Sequence, residues 1–140
     1  MGIAWADNLS VGNGLIDSDH KNLIVAVNNV ANAIETRDRT SLPKTFRLLV
    51  VLLRIHFINE EKIARAANFP IESIRLGHLQ WTNEISYLIE KLLNIHSAWP
   101  DHLVIASSRF LKDRMISHIV EEDMQLKPVL ETFSYDFVSN

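Results

Sequence analysis

His56-Phe57-Ile58-Asn59-Glu60-Glu61 is the most informative segment of this sequence. It places an imidazole and a carboxylate, His56 and Glu60, four residues apart within the apolar stretch Phe46 to Ala67. In an α-helix, residues i and i+4 lie on one face. A histidine and an acid therefore occupy two positions of a buried seam, a combination that indicates a metal. The full seam, read at spacings of three and four, is Phe46, Leu49, Leu53, His56, Glu60, Ile63 and Ala67.

Helical spacing of apolar residues recurs on both sides of this seam. Asp17 or Ser18 is expected to cap the first helix. Ser41 is expected to cap the second helix, with Pro43 in its first turn, and Pro70 separates the second helix from the third. The predicted helices span residues of about 18–37, 42–67, 71–96 and 102–127.

Four helices of about 20 residues, joined by short connections, predict an all-α, up-down-up-down four-helix bundle. With 140 residues the chain has room for one domain, 1–140. Glycine and polar residues predict an extended N-terminal arm over 1–16, and the tail 128–140 is expected to be a short packed segment. Valine and isoleucine follow helical rather than alternating spacing, so no strand is expected.

Composition excludes several classes of function. The formal charge of -3 and the absence of a basic cluster argue against nucleic acid and membrane surfaces as partners. The absence of cysteine excludes a disulfide scaffold, a thiolate zinc site and a cysteine nucleophile. The longest apolar stretch is too short for a membrane span and no secretory signal is recognisable, which predicts a soluble cytoplasmic protein.

Every predicted helix carries a histidine on its apolar stripe. Buried carboxylates cost several kcal/mol each unless a cation compensates them, so a metal site is expected. Six ligands exceed the four of tetrahedral zinc and suit two octahedral metals bridged by the acids, with iron favoured where imidazole predominates. On a regular helix, positions five residues apart point about 140° apart, so the last two ligands are expected to reach the site from different sides. The candidate ligands are His20, His56, Glu60, His78, His118 and Asp123.

This ordered set of residues resembles a bacterial hemerythrin over nearly the whole chain. The motifs that carry the resemblance are Trp5, Val11-Gly12, Ile16-Asp17, His20-Lys21, His56-Phe57, Glu60-Glu61, His78, Phe110-Leu111-Lys112, His118-Ile119 and Asp123. The resemblance implies a non-heme, oxo- or hydroxo-bridged centre of two iron ions that binds dioxygen reversibly inside a four-helix bundle. It also implies a role for each ligand: Glu60 and Asp123 as bridges, His20 and His56 on the iron that takes dioxygen, and His78 and His118 on the other iron.

The chain departs from the family pattern at two positions. The third helix of the family carries HxxxH, but here Ile74 stands one turn before His78, so one terminal ligand is missing. By this analogy the position stays open unless water, an anion or a nearby group such as Glu72 fills it. Glu72 itself is better explained as a solvated acid in the first turn of its helix. Arg114 stands where the family favours tryptophan, and as a long cation it is expected to lie outside the bundle. Trp81 and Met115 are expected to line the pocket.

Three functions remain open from the sequence. The first is a dioxygen carrier, store or sensor without turnover. The second is a diiron oxidase or peroxidase-like enzyme that uses a second open coordination position, and the third is a bundle with an impaired metal site. Ile74 favours the second and third functions, whereas the other ligand positions favour the first. His96 and His102 are expected at the surface, and no feature of the sequence names a protein partner.

Overall fold

Four long helices make up most of the structure, a computed structural model that describes residues 2–138. They are α1 (Gly14–Glu35), α2 (Ser41–Ala66), α3 (Glu72–Leu93) and α4 (Asp101–Ser117). The chain continues from α4 through a π-helical turn, His118–Glu122, a 3-10 turn, Asp123–Leu126, and the short helix α5, Lys127–Leu130. No strand occurs within residues 2–138, so the all-α prediction is confirmed for this part of the chain.

The first helix begins at Gly14 rather than near residue 18. Asn13 is its N-cap: its backbone is extended, and its side-chain oxygen accepts hydrogen bonds from two successive backbone amides of the first turn, at 3.1 and 3.0 Å. Asp17 and Ser18, the predicted caps, lie inside the helix, so that prediction is wrong. Before the helix, residues 2–13 contain only a 3-10 turn, Asp7–Leu9.

Asp17 joins the two ends of the chain instead of capping a helix. Its buried carboxylate accepts hydrogen bonds from the Val11 amide at 3.0 Å and from the Tyr135 hydroxyl at 2.9 Å. Asn13 adds a bond from its side-chain nitrogen to the Phe137 carbonyl, at 2.6 Å. The C-terminal tail therefore contacts the start of α1 as far as Phe137. The last two residues of the predicted tail lie outside the described residues.

Helix α2 begins at Ser41 itself, after the N-cap residue Thr40, so the prediction that Ser41 caps this helix is wrong. After α2, Asn68 adopts a left-handed conformation with φ of 60°, which asparagine tolerates better than most residues. Between α3 and α4, His96 and His102 flank the connection and are both exposed. Within residues 2–138, none of the helices is both long and apolar enough to cross a lipid bilayer.

A polar layer separates two apolar clusters in the core. Helix α1 packs against α2 and α4, and α3 packs against α2 and α4. The larger cluster includes Leu23 of α1 and Leu53 of α2, and the smaller cluster includes Ile16 and Ile63 of the same two helices. The polar layer lies between these clusters. Its residues on α1 and α2 include His20, His56 and Glu60.

Candidate metal centre

Five buried side chains converge in the polar layer. One ligand atom of each lies within 4.8 Å of the corresponding atoms of the others, and none of the five residues is more than 1% exposed. Imidazole and carboxylate groups are strong ligands for first-row transition metals. The structure therefore brings five of the six predicted ligands into a group that can hold a metal ion. They are His20 of α1, His56 and Glu60 of α2, and His118 and Asp123 beyond the end of α4.

Asp123 reaches the site because the helix changes its winding. Residues His118–Glu122 form a π-helical turn, in which hydrogen bonds join residues five apart. This winding brings Asp123 Oδ2 within 2.7 Å of His118 Nε2. Both side chains therefore end in the same group of ligand atoms. The same carboxylate oxygen lies 2.6 Å from His20 Nε2 and 3.1 Å from His56 Nε2.

Glu60 turns its two carboxylate oxygens toward different histidines. Oε2 lies 2.7 Å from His56 Nε2, and Oε1 lies 3.3 Å from His78 Nε2. His78, the sixth predicted ligand, stands outside the group of five and is 6% exposed. The contact of His78 with that group is the one to Glu60 Oε1. Glu60 therefore links His78 to the group of five.

Two carboxylates outside the predicted ligand set, those of Asp19 and Glu122, orient two of the imidazoles. His56 Nδ1 lies 3.2 Å from an Asp19 oxygen, which also accepts a hydrogen bond from Asn59 at 3.0 Å. His118 Nδ1 lies 2.8 Å from Glu122 Oε1. A histidine that donates through Nδ1 directs its Nε2 lone pair into the site, as metal-binding histidines do. Sequence reasoning missed these partners, although the i, i+4 spacing of His118 and Glu122 was a usable signal.

Burial and nearby carboxylates act in opposite directions on the histidine pKa values. Burial lowers the pKa of His20, and its hydrogen bond to Asp123 offsets this only in part. Burial also opposes the charged form of His118, but the surrounding carboxylates, Asp123 first among them, raise its pKa to about 9. The pKa of Asp123 is held well below its usual range, against burial, by His118 and the other imidazoles. Positive charge is thus needed beside the buried carboxylates, as protons or as metal.

The donor chemistry of the site fits a metal bound by nitrogen and oxygen. No protein-family model and no curated protein matches the chain. With no cysteine in the sequence, the donors are imidazoles and carboxylates only. Glu60 Oε2 is buried, and its nearest nitrogen, His56 Nε2 at 2.7 Å, is not aligned for a regular hydrogen bond. A buried carboxylate oxygen without a well-aligned donor is costly, and a cation at this point would compensate it.

Ile74 borders a small cavity on the α3 side of the site. The cavity has a volume of about 20 Å³, which corresponds to roughly one water molecule. Ile74 is half-buried, and Glu72, the candidate substitute ligand, is exposed and does not reach the cavity wall. The aliphatic side chain therefore stands beside two of the carboxylates, where the resemblance places a ligand. The wall is formed by Glu60, Ser73, Ile74, Gly77, His78, Glu122 and Asp123.

Aromatic rings cover the histidines on the side of the larger apolar cluster. Phe57 stacks on His78 with ring centroids 3.8 Å apart, and the Trp81 ring lies 4.5 Å from the His118 ring. Trp81 and Met115, the two residues expected to line the pocket, are fully buried members of that cluster. These contacts exclude water from one side of the imidazoles.

Arg114 packs between α3 and α4, so the prediction that it lies outside the bundle is wrong. Its side chain is 12% exposed and its guanidinium lies 5.4 Å from the centre of the Trp81 ring. It pairs with Glu84 at 3.3 Å and with Glu122 at 3.0 Å. Two carboxylates and an indole face compensate the cation, which makes this partly buried position stable. Through Glu122, Arg114 is connected to His118.

Proposed function

We propose that this chain is a non-heme diiron protein of the bacterial hemerythrin type that binds dioxygen reversibly, as a carrier, store or sensor. The observation that supports it best is the Glu60 carboxylate, whose two oxygens face His56 and His78. A bridging carboxylate implies two metal positions. The predominance of imidazole without thiolate favours iron. Two iron ions, when bound, supply the reversible electron transfer that dioxygen binding requires.

The residues of the chain would hold and orient these ions. Asp19 and Glu122 would keep the imidazoles of His56 and His118 in the orientation that presents Nε2 to the metals. The proposed ligands are His20 and His56 for one ion, His78 and His118 for the other, and Glu60 and Asp123 as bridges.

The apolar wall would control access to the site. Phe57 and Trp81 cover two imidazoles, and Met115 belongs to the same apolar cluster. A dry wall keeps water and protons from the dioxygen side, which favours reversible binding over oxidation. The expected pocket residues Trp81 and Met115 would act in this way.

We also propose the up-down-up-down order for the bundle, with the segment before α1 as an extended arm. Each long helix packs against the one before and the one after it, and α4 returns to α1. Helices joined by short connections adopt this order most simply.

A second candidate function is a diiron oxidase or peroxidase-like enzyme. The observation that favours it is Ile74, which borders the cavity beside Glu60 and Asp123 without offering a donor atom. A position that no side chain of α3 fills would admit a second small molecule. The same feature is compatible with an impaired site that holds metal weakly.

The visible spectrum of the iron-loaded protein separates these functions. It is recorded after reduction, after exposure to dioxygen, and after removal of dioxygen. A carrier or sensor gives a band that appears and disappears reversibly. An enzyme returns to the ferric state and consumes peroxide with turnover, whereas an impaired site loses its iron. Absence of any dioxygen-dependent band in a fully loaded protein would contradict the proposal.

A further inference from the structure

The outward face of α2 is unlike an ordinary solvated helix surface. All nine exposed residues of α2 are either cationic or large aliphatic, and none is acidic. Five of the nine are lysine or arginine, so the expectation that the chain has no basic cluster is wrong for this face. Within residues 2–138, the lysines and arginines that form ion pairs are Arg37, Arg75, Lys112 and Arg114, none of which is on α2. We call this surface the α2 outer face. It consists of Lys44, Arg47, Leu48, Val51, Arg54, Ile55, Ile58, Lys62 and Arg65.

The residues of the α2 outer face follow a heptad. Seven of them alternate at spacings of four and three, the a and d pattern of a helix that packs against another helix. Arg47 and Arg54 each precede an a position and so occupy the flanking g positions. The four aliphatic residues at the centre are between 47% and 56% exposed, so the bundle itself does not cover them. The seven residues are Lys44, Leu48, Val51, Ile55, Ile58, Lys62 and Arg65.

We infer that the α2 outer face is a docking surface for an amphipathic helix of a partner protein. The partner helix carries aliphatic residues along its own seam and acidic residues beside it. The aliphatic centre supplies apolar area to bury, and the unpaired cations complement acidic flanks. This inference is independent of the proposed metal site, because His56 and Glu60 lie on the buried face of the same helix.

The composition of the α2 outer face argues against other occupants. A second copy of the chain that used the same face would bring cations against cations, which is unfavourable. Nucleic acid is disfavoured because none of the nine residues is aromatic, so bases have no ring on which to stack. The aliphatic centre of the face would make no contact with phosphate either. A bilayer surface is disfavoured because the face lacks tryptophan and tyrosine and because a flat surface does not require a heptad.

The size of the surface predicts a transient complex. Its aliphatic centre covers about one and a half heptads, from Leu48 to Ile58. One helix laid along it buries less than about 1,200 Å² in total. Interfaces of this size are typical of weak signalling contacts. We expect a Kd of about 1–100 µM for a suitable helix.

The test uses a labelled peptide of three heptads with leucine at a and d and glutamate at e and g. Its glutamates repel one another and keep the peptide monomeric. Fluorescence anisotropy with the full chain should show binding that weakens between about 50 and 500 mM salt. Ile55→Asp should weaken binding by at least about tenfold, because it places a charge in the apolar centre. Leu79→Asp changes a similarly exposed leucine of α3, 58% exposed, and should leave binding unchanged.

Charge reversal provides an independent check. The double variant Arg47→Glu with Arg54→Glu should bind the acidic peptide less tightly and a matched peptide with lysine at e and g more tightly. Circular dichroism establishes that each variant is folded.

Four results would overturn the inference. The first is no binding of the acidic peptide up to about 1 mM, and the second is an equal loss of peptide affinity for Ile55→Asp and Leu79→Asp. The third is sedimentation of the chain with phosphatidylglycerol vesicles without peptide binding. The fourth is a dimer in solution that Ile55→Asp dissociates. The last two would identify a bilayer or a second copy as the occupant.

Discussion

Replacing Ile74 with histidine should change stability in opposite directions in the metal-free and metal-loaded protein. Ile74 is half-buried and borders the cavity beside Glu60 and Asp123, one turn before His78. Without metal, the imidazole loses water on entering this position, at a cost of about 1–2 kcal/mol. For a chain of this length that cost lowers the Tm by about 3–8 °C.

With metal bound, the same imidazole offers an additional donor to the site. One further ligand should tighten metal retention by at least about tenfold, equivalent to about 1.4 kcal/mol. The form that carries dioxygen should also decay more slowly to the ferric state, because a position open to other small molecules is filled. Calorimetry of both forms, competition with a chelator, and the decay of the visible band measure these three effects.

Leu76→His is the matched control for Ile74→His. It adds a histidine to the same helix at a residue that is 57% exposed, so it should change neither metal retention nor the decay of the visible band. The reasoning would be refuted if the folded Ile74→His variant bound metal and dioxygen no differently from the original chain. Another group would then already serve as the ligand, or α3 would not present residue 74 to the site.

Three further predictions concern metal removal, pH and the outer carboxylates. Stripping the metals should lower the Tm by at least about 5 °C, because Glu60 and Asp123 are then compensated by protons alone; calorimetric melting points within about 1 °C of each other would contradict a buried site. In the metal-free protein the carboxylates, against the effect of burial, raise the pKa of His118 to about 9 and that of His56 well above its usual value. Protons on both ligands therefore compete with metal, so metal affinity, measured with competing chelators, should rise by at least about tenfold per unit between roughly pH 7 and 9, and a flat profile would count against these ligands. Glu122→Gln should weaken metal binding by about 10–100-fold by removing the charged partner of His118, whereas Glu121→Gln at the exposed neighbouring position should not.

The helices and most of the candidate site could be predicted because both follow the helical period. The inner seam of α2 is buried from Leu49 through Leu53, His56 and Glu60 to Ile63, as its spacing of three and four predicts. The same periodicity places His20 and His118 inward on their own helices. Polar residues on an apolar helical stripe can therefore be recognised as a candidate site in a single sequence.

Other features depend on tertiary contacts or on irregular helix winding, neither of which can be predicted from the helical periodicity of apolar residues. The π-helical turn that aligns His118 with Asp123 interrupts the regular spacing, so a count of 100° per residue misplaces Asp123. Asp17 looks like a helix cap in the sequence but is held by Tyr135, which is remote in the chain. Arg114 is partly buried because Glu84 and Glu122 come from different elements to meet it. Each of these outcomes is decided by tertiary structure.

The iron content of the folded chain, compared with that of His78→Ala, tests the two-metal centre most directly. Both proteins are loaded with ferrous iron without oxygen, freed of excess metal and analysed for iron per chain, with His102→Ala as the control at an exposed histidine. The proposed site predicts about two ions in the original chain and in the control, and about one in His78→Ala, which keeps the group of five. One ion in all three proteins would show a single-metal site in which His78 takes no part, and no retained iron in the original chain would contradict a metal centre of this kind.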